Sequence, residues 1–111
     1  MKVKVGELIY DVEVAKTDAE KEKGLSKINY LPDDEGMLFI YEEPEDVGFW
    51  MKDTYIPLDI VFINDENEVI SVAEGKPEDE TIHEEDDVLY VLEVNAGSGI
   101  KPGDEVEFPE E

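Results

Sequence analysis

The chain has 111 residues, 32 acidic against nine basic, for a formal net charge of −23; the nine are all lysine, and arginine and cysteine are absent. A surface so negative, without guanidinium groups for bidentate contacts to phosphate or guanine, argues against direct nucleic-acid binding and a polybasic membrane patch. Without cysteine there are no disulfides, thiolate metal sites or thiol nucleophile, and the length suits one apolar core, so residues 1–111 are read as a single domain.

Val3 and Val5, then Leu8, Tyr10, Val12 and Val14, alternate with charged residues at period two, which marks two half-buried strands. Gly6-Glu7 between them suits a type II′ hairpin turn. This N-terminal stretch lacks the apolar segment of a secretory signal, and no apolar run approaches the ~20 residues of a membrane-spanning helix. The expected location is cytoplasmic or intracellular. Thr17-Asp18-Ala19-Glu20 has the capping-box pattern, which predicts a short helix over about 18–23 that stops at Gly24.

Residues 25–35 read as a loop, with turn chemistry in Pro32-Asp33-Asp34-Glu35-Gly36. Gly36 to Tyr41 is an apolar strand expected to be buried on both faces. A second acidic loop over 42–46 leads to Phe49-Trp50-Met51. Pro57 to Ile63 and Glu68 to Ala73 form a predicted hairpin around Asn64-Asp65-Glu66-Asn67, whose asparagines tolerate positive φ. The charged stretch 74–87 is expected to be a mobile loop. A strand over 88–94, turns at 96–99 and 101–104, and a last strand over 105–108 complete the chain. Many short strands with one short helix predict a mostly-β fold, a compact sandwich or small barrel.

The blocks Gly24-Leu25, Gly36-Met37-Leu38-Phe39, Phe49-Trp50-Met51-Lys52-Asp53-Thr54, Pro57-Leu58-Asp59, Val91-Leu92-Glu93 with Ala96-Gly97, and Gly103-Asp104 follow one another as they do in domain-of-unknown-function family 192. From Val12 to Val106 the chain resembles that family. Asp53 stands where the family usually has Asn, Ser26 where Met is common, and Lys21 and Lys27 where Arg is common. Many members also carry a secretory or lipoprotein leader. The resemblance implies a compact β-rich fold and no established activity or cofactor.

Two carboxylates stand inside apolar runs, where an unpaired charge costs several kcal/mol. By period two Asp59 shares a face with Val61 and Ile63, and Glu93 shares one with Leu89 and Val91. A structural role would tie them to loop amides or to Lys52. A functional role would set Lys52, Asp59 and Glu93 around a pocket floored by Trp50, where Lys52 offers charge to an anionic or polyol ligand, or would use the two carboxyls as acid and base in hydrolysis. Trp50 suits the core or, facing outward, a platform for a sugar ring or a partner protein. His83 reads as part of a solvated charge run, without metal-site spacing. The serines lack a nucleophile elbow and the glycine-rich turns lack the order of a phosphate loop.

The residues therefore predict a non-enzymatic binding domain, without metal or cofactor, for a small polar ligand or a protein partner. Its expected face comprises Trp50, Lys52, Asp53 and Thr54, with Asp59 and Glu93 as further candidates. The alternatives are a small hydrolase-like enzyme that uses Asp59 and Glu93, and an acidic accessory protein of a larger, for example viral, assembly. The acidity itself fits solubility in a salty milieu, where screening relieves self-repulsion, or docking on a basic partner.

Overall fold

The computed structural model describes residues 1–109. The N-terminal alternation forms β1 (Lys2–Val5) and β2 (Leu8–Ala15), paired antiparallel with Val5 opposite Leu8. Gly6 carries the positive φ, +57°, that the first position of a II′ turn requires. Helix α1 (Asp18–Lys23) has its capping box: Glu20 N donates to Thr17 Oγ1 at 3.1 Å, and Thr17 N donates to Glu20 Oε1 at 3.0 Å. The strands that follow are β3 (Glu35–Phe49), β4 (Leu58–Ile63), β5 (Val69–Gly75), β6 (His83–Asn95) and β7 (Val106–Glu107).

All seven strands lie in one sheet of order β5-β4-β6-β3-β2-β1-β7. Each pair is antiparallel except β2 with β3, where α1 and the loop after it carry the chain back so that the next strand runs the same way. The sheet curls until its two edges meet. Val69 N donates to Asp104 O at 2.9 Å, Gly103 N to Val69 O at 2.9 Å and Val106 N to Asn67 O at 2.8 Å, with a bridge between Glu68 and Glu105. Of the two expected architectures the protein takes the barrel side, as a curled half-barrel of seven strands tied along a short seam.

Two expected loops are corrected. The acidic stretch 42–46 lies within β3, which continues through irregularities between Ile40 and Glu45 and between Glu45 and Val47 to pair with β6 as far as Phe49 and His83. Residues 83–87, placed in a mobile loop, form the start of β6. The physical reason is the same for both. This end of the β3–β6 ribbon is exposed along much of its length and carries charge there, so hydropathy shows no alternation although the backbone ladder is made. Its like charges repel, and Asp46 across from Asp86 holds the Asp86 carboxyl above its ordinary range.

Burial decides the rest. One apolar cluster draws on all seven strands, with Val3, Tyr10, Leu38, Val61, Val69, Leu92 and Val106 among its members, and fills the concave side. A second cluster, with Phe39, Leu58, Ile60, Phe62 and Val91, lies on the convex side and is covered by Leu25, Leu31 and Met51 from the loops. β4 is consequently buried at all six positions. Gly36 faces Val94 on β6, and a Cβ there would lie 2.5 Å from the Glu93 carbonyl oxygen. The nearest neighbour is strand backbone and the next, at 2.9 Å, is Cγ1 of the branched Val94 side chain, so there is little room to yield. Gly36→Ala is expected to lower stability by about 1–3 kcal/mol, the usual cost of overpacking, read as a drop in urea midpoint with an unchanged slope.

Candidate functional site

The register separates the two candidate carboxylates. Asp59 lies opposite Val94 and Ile60 opposite Glu93, and side chains alternate along each strand. Asp59 thus points with Val61 and Ile63 into the concave core, while Glu93 points with Val91 into the convex one. A two-carboxylate hydrolytic pair is not formed.

Asp59 is held through one carboxylate oxygen. Its Oδ2 accepts from Ser98 N at 3.0 Å and from Ser98 Oγ at 2.6 Å, and Ser98 Oγ in turn accepts from Ile100 N at 3.2 Å. Burial, then the Asp59 charge, pushes the Tyr10 phenol up. The Ser98 bonds fix the turn at 96–99 over one end of the core, a structural role.

Glu93 is the opposite case. It is 5% exposed, and among the described residues no side chain or amide donates to its carboxyl. Burial alone pushes its pKa up to about 8. It forms the floor of a cavity of about 270 Å³ on the convex side, whose walls include Phe39, Tyr41, Phe49 and Trp50, and whose rim carries Lys21, Lys23 and Lys52. Thr54, 6% exposed, also lines it.

Each wall has a local cause. Phe49 is held edge-on between Phe39, at 5.0 Å and 85°, and Phe62, at 6.1 Å and 77°. Tyr41 lies two residues after Phe39 on the same face of β3. Burial first, then the charges of Glu45 and Glu93, raise its pKa to about 12, so the phenol stays neutral. Met51 to Thr54 is a turn in which Thr54 N donates to Met51 O at 3.0 Å, and Lys27 N donates to Asp53 O at 2.7 Å. Asp53 takes φ of +58° there, a conformation that Asp and Asn tolerate better than most residues. This gives a backbone reason for either residue at that position.

Lysine is scarce in this chain, yet three of the nine line the cavity, against two of 32 acidic residues, Glu22 and Glu93. Lys21 Nζ sits 4.0 Å from the centre of the Tyr41 ring and Lys52 Nζ 5.3 Å from that of Trp50, within cation–π range. The ion pairs of the described residues involve Met1, Lys2, Lys4 and Lys101, and none of the three rim lysines.

Of the six residues singled out from sequence, Trp50, Lys52, Thr54 and Glu93 meet at one cavity. Asp53 is exposed in the adjoining turn and Asp59 lies across the sheet. Lys21, Lys23, Phe39 and Tyr41 were not legible as site residues: Phe39 and Tyr41 share a strand face at period two, but only the β3–β6 register shows that this face holds Glu93. His83 is corrected as well, since it lies on β6 opposite Phe49 with its Nε2 buried and unpartnered rather than in a solvated run. The described residues contain no group of three or more side chains placed to hold a metal ion, and no helix long and apolar enough to cross a membrane.

The fold defines a small, mostly-β domain built on one curled sheet. The chain belongs to domain-of-unknown-function family 192, described as Uncharacterized ACR, whose model matches residues 1–108. It is similar to a protein of unknown function from Novosphingobium aromaticivorans DSM 12444, at 40% identity and a TM-score of 0.92, over 96% of this chain and 84% of that one. It is also similar to a protein of Sinorhizobium meliloti 1021, provisionally called a transcription regulator, at 34% identity and a TM-score of 0.90, over 96% and 91% of the two chains. None of the curated proteins is detectably similar.

Glu93 lends itself to a pH test. Its folded pKa of about 8 stands above the ordinary 4.5, so its protonated form favours the folded state. Stability linked to it is full below the lower value and is lost as pH rises toward the upper one, by up to about 1.4 kcal/mol per pH unit. Glu93→Gln, which cannot ionise, is expected to match wild type near pH 4.5, to exceed it increasingly up to about pH 8, and to keep a constant lead above that. Urea midpoints across the range check this. Asp59→Ala is expected instead to cost about 1–3 kcal/mol at neutral pH by leaving the Ser98 donors unpaired.

Proposed function

We propose that the protein is a small-ligand-binding domain whose ligand occupies the cavity above Glu93. The observation that carries this reading is Glu93 itself, a carboxyl that lowers stability at neutral pH, makes no hydrogen bond among the described residues, and opens into a cavity. Structural carboxylates are bonded, as Asp59 is; an ionisable group with a strongly perturbed pKa in a cleft is a mark of function. The four aromatic walls and three lysines, none in an ion pair among the described residues, give the cavity an apolar body and a charged mouth.

Catalysis by paired carboxylates has lost its geometry. The provisional name of the Sinorhizobium protein does not carry DNA binding over to this chain, because a net charge of −23 without arginine opposes phosphate contacts. A protein-partner reading keeps one observation in its favour: Trp50 and Tyr55 are 48% and 42% exposed beside the cavity-lining turn.

Trp50 is the sole tryptophan and lines the cavity, so its fluorescence reports occupancy. Wild type, Lys52→Ala and Asp59→Asn would be titrated with sugars, small carboxylates, phosphate, amines and divalent cations at two salt levels, with thermal midpoints in parallel. The expected result is one ligand class that shifts Trp50 emission and raises the midpoint. Its affinity should fall about tenfold in Lys52→Ala, the loss of one charge-assisted contact, and stay unchanged in Asp59→Asn. If every compound leaves Trp50 emission unchanged, the reading is wrong.

A further inference from the structure

We infer that the cavity takes a small organic monocarboxylate, its anionic head held between Glu93 on the floor and Lys52 on the rim, its flat apolar body against Phe39, Phe49 and Trp50. This rests on the ligand-binding reading above and adds the chemical class.

Three features of the site select the sign of charge. Lys21, Lys23 and Lys52 surround the mouth without an ion-pair partner among the described residues, and the cavity's other carboxylate, Glu22, belongs to the exposed side of α1. A cationic ligand would have to pass three ammonium groups to reach Glu93. An anion meets attraction at the mouth, and at physiological salt the Debye length of about 8 Å screens the distant acidic surface more than the lysines alongside.

The floor selects the head group. Burial keeps the Glu93 proton in place at neutral pH, which makes its carboxyl a donor. A carboxylate offers two oxygens, one to accept from the Glu93 hydroxyl in a short O–H···O⁻ bond and one to meet an ammonium group. Phosphate is a poorer fit. A dianion calls for a ring of donors, whereas the cavity has no arginine, and Thr54 Oγ1 already donates, at 3.5 Å, to Lys52 O. The volume of about 270 Å³ corresponds to about nine water-sized groups, a size that benzoate fills, and aromatic walls favour a flat body.

The groups that face Glu93 fix the pH dependence. From β3 comes Tyr41, neutral until about pH 12 and itself close to Glu45; from α1 come Lys21, Glu22 and Lys23; from the 51–54 turn come Lys52 and Thr54. Met37 and Ile60, the cross-strand neighbours of Glu93, carry no charge. Burial sets the Glu93 pKa at about 8, so Glu93 changes charge between pH 7 and 9. An anion bound to its protonated form raises its pKa further, so affinity is level below about pH 8 and falls by up to tenfold per unit above.

The test compares benzoate, benzyl alcohol and benzylamine by Trp50 fluorescence and calorimetry at ~0.15 M salt, a Debye length of about 8 Å, from pH 6 to 9.5. Benzoate is expected to bind at least about tenfold more tightly than the other two, and to weaken above pH 8. Lys52→Ala, on an exposed side chain that leaves the fold intact, should weaken benzoate about tenfold. Glu93→Gln should still bind it through the amide N–H, with the pH dependence gone. Preference for benzylamine or benzyl alcohol overturns the carboxylate assignment and leaves the cavity reading standing. A pH-independent benzoate affinity in wild type overturns the role of Glu93. Silence of Trp50 toward all three probes overturns the assignment as well.

Discussion

Everything in this molecule turns on burying both faces of the sheet around β4 and β6. All six residues of β4 are out of solvent, so each face needs its own cover. The concave face finds it by curling, with seven strands contributing to one cluster. The convex face has no second sheet to pack on among the described residues and borrows the loop after α1 and the 50–57 segment. Loops cover less completely than strands. The gap left between α1, β3 and the 51–54 turn is the cavity, and Glu93 is the residue of β6 that happens to lie beneath it. The site is thus a consequence of how the second face is closed.

Two carboxylates with nearly identical sequence settings have opposite fates for the same reason. Asp59 and Glu93 each interrupt an apolar run, and each is at least nine-tenths buried. Asp59 meets Ser98, whose amide and hydroxyl supply two donors, and becomes a clamp. Glu93, one register step away across β4 and β6, meets aromatic rings and keeps its proton. Which face a side chain takes therefore outweighs how apolar its neighbours in sequence are.

That also sets what could be read beforehand. The helix from 18 to 23, its capping box, the Gly6 turn and the hairpin around 64–67 are local, written in contiguous residues, and they stand as expected. The family likewise was legible from its blocks. Pairing was not. The order in which β6 inserts between β3 and β4 joins residues some fifty positions apart, and it alone places Tyr41 and Lys21 beside Glu93 while parting Glu93 from Asp59. The charged ends of β3 and β6 escaped for a different reason: a ladder whose side chains are largely solvated leaves hydropathy nothing to alternate. His83 shows the converse, a polar residue in a charged run whose Nε2 is nevertheless covered.

The seam has a kinetic meaning. β7 lies between β1 and the start of β5, bonded to both, so the strand formed last along the chain is the one that joins the curl's two edges. Until residues 103–107 are in place, β1 and β5 both present open edges, and edge strands invite pairing with other chains. Contacts of such long sequence separation form slowly. A nascent or truncated chain would expose those edges for longest, and the dense negative charge would then keep one copy away from the next.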